Sequence, residues 1–209
     1  MSKNQKEEDL DEEEEDNDIK VILVGEMATG KTSLINSAIG LDFQEKVPST
    51  HSNSIMNKSM DIDGNIYNLD LWDTIGQEKF RALTQIFMKD AKIIIFVYDI
   101  TNRKTFDELS YWFESTKEVI TNDTVLGVVG NKCDLFLNEV VKEDEGKKLA
   151  AKHGYEFSLT TAKSPMTFCK FLEKLVRIYI KKLDESGGDI KNTSQKLKEG
   201  DSKGKKKCC

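Results

Sequence analysis

The run Gly25-Glu26-Met27-Ala28-Thr29-Gly30-Lys31-Thr32-Ser33 follows the apolar stretch KVILV and opens a helix-like one, so it joins a strand to a helix. Its spacing, GxxxxGK[ST], suits the binding of phosphate. Glycine at both ends lets successive backbone amides close on phosphate oxygens, and the helix N-terminus adds partial positive charge. Lys31 can reach the outer phosphates and the Thr32 hydroxyl can ligate magnesium. A second run, Asp73-Thr74-Ile75-Gly76-Gln77-Glu78, follows a strand ending at Trp72. Asp73 there could hold a magnesium-bound water, Gly76 could meet a terminal phosphate with its amide, and Gln77 could orient an attacking water.

These residues need a scaffold, and the pattern supplies one. Short apolar runs alternate with amphipathic stretches. A helix is expected over 32–39, and strands over 54–62 and 66–72 turn at Asp63-Gly64-Asn65 as a hairpin. IIIFVYD (93–99) and VLGVVGN (125–131) read as buried strands, and a helix carries Phe106, Leu109, Trp112, Phe113 and Ile120 between them. A charged helix over 143–153 reads as a solvated face, and a short strand over 155–159 follows it. The last helix opens at Ser164-Pro165 and runs to Leu183 with its apolar residues at i, i+3, i+4 spacing. Strands apolar along their length imply an α/β fold with a mainly parallel sheet, one antiparallel strand and helices on both faces. Ligands of such sheets sit at the carboxyl ends of the strands.

Composition sets the outer limits. The chain has 209 residues, 38% hydrophobic and 33% charged, enough for one domain with non-globular ends. No apolar run approaches the roughly 20 residues of a spanning helix, and the polar, acidic start predicts no secretion signal. The four cysteines match neither a disulfide framework nor a zinc spacing, so thiols at Cys133 and Cys169 are expected to be reduced and packed. Residues 1–18 hold ten acids against two lysines, a net of −8 in a chain of −6, so they are expected to form a disordered arm and the rest carries +2. The acidity is thus a property of the arm and weighs little against a nucleic-acid surface, and no nucleic-acid partner is expected. The two histidines have no nucleophile or carboxylate at a recognisable spacing, so a histidine base is not expected.

With both phosphate motifs in order, the stretch from Ile19 to Leu183 resembles the small GTPases of the Ras superfamily, in particular the Rab family, whose second motif typically reads WDTAGQE. Asn131-Lys132-Cys133-Asp134 matches the family's guanine-reading NKxD, and Thr160-Thr161-Ala162-Lys163 resembles its TSAK loop. A carboxylate at Asp134 can accept from both the ring N–H and the exocyclic amine of guanine, a pair adenine lacks. The resemblance implies a three-layer P-loop GTPase fold with a six-stranded sheet over 19–183. It also implies that Thr50 joins magnesium and the last phosphate in the triphosphate state, and that Phe43 covers the guanine. Tyr98-Asp99-Ile100-Thr101, Lys79-Phe80-Arg81 and the terminal Cys208-Cys209 echo Rab proteins most closely. The implied function is a monomeric GTP/GDP switch that hydrolyses GTP and regulates vesicle traffic through effector proteins. An exchange factor, a GTPase-activating protein supplying an arginine, and escort and GDP-dissociation-inhibitor proteins would serve it. Trp72 falls where Rab proteins keep an exposed aromatic for effectors, with plain packing as the alternative, and Trp112 reads as core.

Departures from the family pattern bear on rate. Met27 and Ala28 stand where small residues or glycine are customary, Ile75 replaces alanine beside Gly76, and Asp90 replaces a glycine. The effector loop reads Thr50-His51-Ser52-Asn53 instead of Thr-Ile-Gly. Crowding by Met27 and Ile75 keeps a second reading open, a nucleotide-dependent binding module with negligible hydrolysis. Residues 184–209 read as a slack tail ending in Lys205-Lys206-Lys207-Cys208-Cys209. The resemblance implies prenylation of both cysteines, which would keep the protein cytoplasmic and peripheral on an endomembrane. Intact-mass measurement of protein from native cells should show two geranylgeranyl groups; unmodified Cys208 and Cys209 would overturn this expectation.

Overall fold

The structure, a computed structural model, describes residues 18–45, 48–50, 52–76 and 81–186, without the side chains of 81–83. The acidic arm up to residue 17, Gln77, and the tail with Cys208 and Cys209 lie outside the described residues. Strand β1 (Ile19–Val24) leads to helix α1 (Lys31–Ala38), and β2 (Ser54–Ile62) with β3 (Asn65–Asp73) forms a hairpin. Then come α2 (Arg81–Met88), β4 (Ile93–Asp99), α3 (Arg103–Asp107), α4 (Leu109–Thr116) and β5 (Val125–Asn131). A 3₁₀ stretch (Cys133–Asn138), α5 (Glu143–His153), β6 (Glu156–Leu159) and α6 (Pro165–Ser186) complete the chain. The six strands lie in the order β2-β3-β1-β4-β5-β6, with only β2 and β3 antiparallel.

The period-2 alternation of a strand sorts β1 between two cores. Val21 and Leu23 join Leu34, Ile35, Phe168, Leu172 and Leu175 under α1 and α6. Ile22 and Val24 face the other way, onto Phe96, Leu109, Trp112 and Phe113 under α4. Strand β4 is buried throughout, as a strand covered on both faces must be. The hairpin turns through Asp63 and Gly64, at φ 54° and 85°, the left-handed pair that a two-residue turn requires. Arg177 of α6 then grips Asp63 with both terminal nitrogens, at 2.6 and 3.2 Å.

Two features differ from the sequence pattern. The single helix expected through Phe106, Trp112 and Ile120 is two short ones that meet at Glu108 and end at Thr116. Ser115 and Thr116 turn their hydroxyls back onto the carbonyls of Trp112 and Phe113, at 2.9 and 2.8 Å, and such bonds compete with helix continuation. Ile120 packs on the core from beyond the helix. Helix α2 is not among the expected elements, although Leu83, Ile86 and Phe87 stand at i, i+3, i+4 spacing in the sequence. Asp90, the glycine substitute, occupies a left-handed φ of 62°, which explains the customary glycine.

Tyr98 is fully buried, and its hydroxyl, wedged against Gly130 and Gly146, has no partner among the described residues. Burial pushes its pKa far up. Tyr98→Phe should leave stability unchanged or raise it by up to about 1 kcal/mol, since a desolvated unpaired hydroxyl costs more than it returns. Thermal melting of the variant tests this, and a clear loss of stability would mean that the hydroxyl is bonded in solution.

Candidate functional site

A cavity of about 450 Å³ opens where β1, β3 and β5 end. Its wall takes in every described candidate residue except Gly25, Thr29 and Asp73, which lie behind it. Gly25 (φ +147°) sits so close to β4 that a Cβ would collide with the Val97 carbonyl oxygen. Gly30 (φ +95°) opens α1, and a Cβ there would strike the Asn131 amide nitrogen, which donates to the Thr29 carbonyl at 2.8 Å. Ala28 is left-handed too (φ 64°), in a conformation costing an L-residue roughly 1–2 kcal/mol. Lys31 is buried and donates to the carbonyls of Gly25 and Glu26 at 2.8 and 3.0 Å, so one ammonium spans the loop. Burial pulls its pKa down to about 8, with Asp73 and Glu26 opposing.

At one end of the cavity three oxygen ligands converge. Thr32 Oγ1 donates to Asp73 Oδ2 at 2.6 Å, and Thr50 Oγ1 lies 2.8 Å from Thr32 Oγ1 and 3.4 Å from the same carboxylate oxygen. Asp73 Oδ1 is buried with no partner among the described residues, and burial pushes the Asp73 pKa up against the pull of Thr32 and Lys31. Two hydroxyls and an orphaned buried carboxylate oxygen form a hard donor set that fits a partly hydrated magnesium ion. Gly76 packs against the loop, where a Cβ would meet Lys31 Nζ at 2.5 Å and the Glu26 carbonyl at 2.7 Å. Ile75, expected to crowd this end, is instead buried and absent from the cavity wall, whereas Met27 lines it and is exposed.

At the other end Asp134 Oδ1 accepts from Thr161 Oγ1 at 2.6 Å and Oδ2 from Lys163 Nζ at 2.9 Å. Burial pushes the Asp134 pKa up, but these two partners outweigh it and hold the carboxyl below its ordinary value. The Lys163 ammonium lies 5.5 Å over the Phe43 ring. Lys132 takes a left-handed φ of 65° and pairs with Asp99 Oδ2 at 2.5 Å, which directs its stem toward Gly30. Ala162 closes the wall.

Sequence reasoning missed several supports. Asp99 was legible only as part of a family-like string, and its partner lies 33 positions away in number with no local spacing to betray it. Asn53 accepts from the Ile75 amide at 3.1 Å and ties the effector loop to the segment before Gly76. Leu135 also lines the cavity. Trp112 is core, as expected, yet its indole N–H reaches Glu26. Trp72 is half-buried against Phe87, with the Lys20 ammonium 4.2 Å over its ring, so packing accounts for it.

Comparison with known proteins matches the geometry. The Ras family model matches residues 20–181. The chain is 35% identical to the Ras-related protein Rab-13 of Mesocricetus auratus over 191 residues, covering 90% of this chain and 94% of that protein. It is 39% identical to Rab-26 of Rattus norvegicus over 158 residues, 69% of this chain but 57% of that longer protein. It is 32% identical to Rab-8B of Bos taurus over 188 residues, 86% and 91% respectively.

The depressed Lys31 pKa has a measurable sign. In the ligand-free fold this lysine loses its charge as pH rises through about 8, while phosphate oxygens would favour the charged form. Binding of GDP should therefore take up a fraction of a proton at pH values just above 8, an uptake that falls as pH drops toward 7 and Lys31 becomes charged in the free fold as well. Calorimetry in two buffers of different ionisation enthalpy reads the uptake, and a pH-independent result would contradict the assignment.

Proposed function

We propose that this chain, which belongs to the Ras family of small GTPases and is Rab-like, is a GTP/GDP switch whose two states are read by partner proteins. The observation that carries the reading is the meeting of Thr32, Thr50 and Asp73 at one end of a cavity whose other end holds Asp134. Thr50 comes from a loop with no regular structure, so contacts to a triphosphate can hold it in and their loss can release it. When bound, magnesium neutralises phosphate charge, and Thr32, Thr50 and, through water, Asp73 would hold it. The amides of 25–32 and the Lys31 ammonium stabilise charge on the transferring phosphoryl. Gly76 offers its amide, and Gln77, outside the described residues, is assigned to orienting water. Asn131 braces the loop, Lys132 and Phe43 flank the base, and Asp134, steadied by Thr161 and Lys163, reads guanine.

No arginine in the chain is an obvious finger, so fast hydrolysis calls for an activating protein. Ile75, turned inward, no longer supports a silent site, and Met27 is the remaining reason for slow turnover. The Rab-like relatives support a role in membrane traffic with effectors, an exchange factor and lipid-handling escorts as partners. No helix among the described residues is long and apolar enough to cross a membrane, consistent with attachment through prenyl groups on Cys208 and Cys209.

Competition binding tests the base assignment. Guanine nucleotides should displace a bound GDP analogue at least about a hundredfold better than adenine nucleotides, because a site built for hydrogen bonds strands its polar groups on the wrong ligand. Asp134→Asn should lose that preference and gain xanthine nucleotides. Equal competition by ATP and GTP would overturn the assignment. Single-turnover hydrolysis of bound GTP, expected at or below the order of 10⁻⁴ per second unassisted, separates a slow switch from a silent one.

A further inference from the structure

We propose that Trp112 is a positioning residue for the phosphate loop, whose indole N–H holds the Glu26 carboxylate aside so that it does not oppose nucleotide phosphates. The proposal rests on the nucleotide-switch reading given above. Glu26 is the sole carboxylate within loop 25–32. Its side chain is not part of the cavity wall, yet an acid in this loop lies close to a ligand of several negative charges, and like charges a few ångströms apart repel. The backbone of Glu26 is fixed, since its carbonyl accepts from Lys31 Nζ at 3.0 Å and from Thr29 Oγ1 at 2.9 Å. Its side chain therefore extends from an anchored point.

One restraint on that side chain comes from 86 positions away. Trp112 Nε1 donates to Glu26 Oε1 at 3.2 Å. Trp112 is fully buried on α4 among Ile22, Val24, Phe96 and Leu109, so the ring is a fixed post and the carboxylate must come to it. An indole offers a single donor and no acceptor, which makes the contact one-directional and specific for an oxygen at position 26. Tyrosine or phenylalanine could fill much of the same core volume but could not supply that donor at that place.

The test is release of fluorescent GDP and GTP analogues from the full-length wild type, Trp112→Phe, Glu26→Gln and the double variant. Trp112→Phe should speed release about three- to tenfold, as expected for an unmasked like charge, more for the triphosphate than for the diphosphate, and the gap should narrow at about 1 M salt. In the Glu26→Gln background the same Trp112→Phe step should change release by no more than about twofold, because the charge it restrains is gone. Equal acceleration in both backgrounds, or none in either, overturns the proposal, since it would assign Trp112 to packing alone. Should Trp112→Phe fail to fold, nitrogen-15 indole resonances decide: Glu26→Gln should shift the Trp112 N–H signal, identified as the one surviving in Trp72→Phe, and an unmoved signal overturns the proposal. Failure of the wild type to bind any guanine nucleotide would instead overturn the functional reading.

Discussion

A buried ammonium organises the site. Lys31 is almost wholly buried, so it takes the adjacent carbonyls of Gly25 and Glu26 as partners and ties the start of the loop to its own ammonium. A cation so placed is underpaired: two neutral carbonyls and a nearby Asp73 do not replace its hydration, which is why it gives up its proton more readily than an ordinary lysine. The same deficit makes it a strong attractor for phosphate oxygens. Other features follow from keeping this group where it is. Gly25 must lack a Cβ to press against Val97, Gly76 must lack one to approach the ammonium, and Gly30 must lack one to admit Asn131.

The base end works on the opposite principle. Asp134 is over-supplied with donors by Thr161 and Lys163, so it stays ionised as a hydrogen-bond acceptor. The chain therefore holds a proton-shedding cation and a firmly ionised carboxylate in one cavity. Between them Asn131 bonds both the Thr29 carbonyl and the Thr160 hydroxyl, at 2.8 and 3.3 Å, and so keeps the two ends in register. Loops that are far apart in sequence are fixed relative to one another by a single amide.

Much of this was legible beforehand because it is local. The phosphate loop announces itself by spacing, the buried strands by unbroken apolar runs such as IIIFVYD, and α6 by its periodicity and its Ser164-Pro165 start. The guanine end was readable only through resemblance, since NKxD is four residues with no intrinsic structural signature. What escaped was non-local or sterically decided. The pairing of Lys132 with Asp99, the clip from Asn53 to Ile75 and the reach of Trp112 to Glu26 depend on which loops meet, and no window of sequence contains both partners. The inward turn of Ile75 is a rotamer and packing outcome of the same kind. The split of α3 from α4 was local but masked, because hydroxyl groups at Ser115 and Thr116 act on the backbone without disturbing the apolar pattern.

The clasp of Arg177 on Asp63 has a thermodynamic consequence. It pins the tip of the β2–β3 hairpin to α6, and the ladder pairs Ser54 with Asp73 at the hairpin's other end. With both ends of the hairpin tied, a rearrangement at Thr50 falls chiefly to the stretch between α1 and β2. Ordering a residue costs about 1–2 kcal/mol of backbone entropy, so each hairpin residue kept out of the motion spares the closing contacts a cost of that size. A hairpin loose at its tip would add its own disorder to the open state and raise the ligand concentration needed to close the loop.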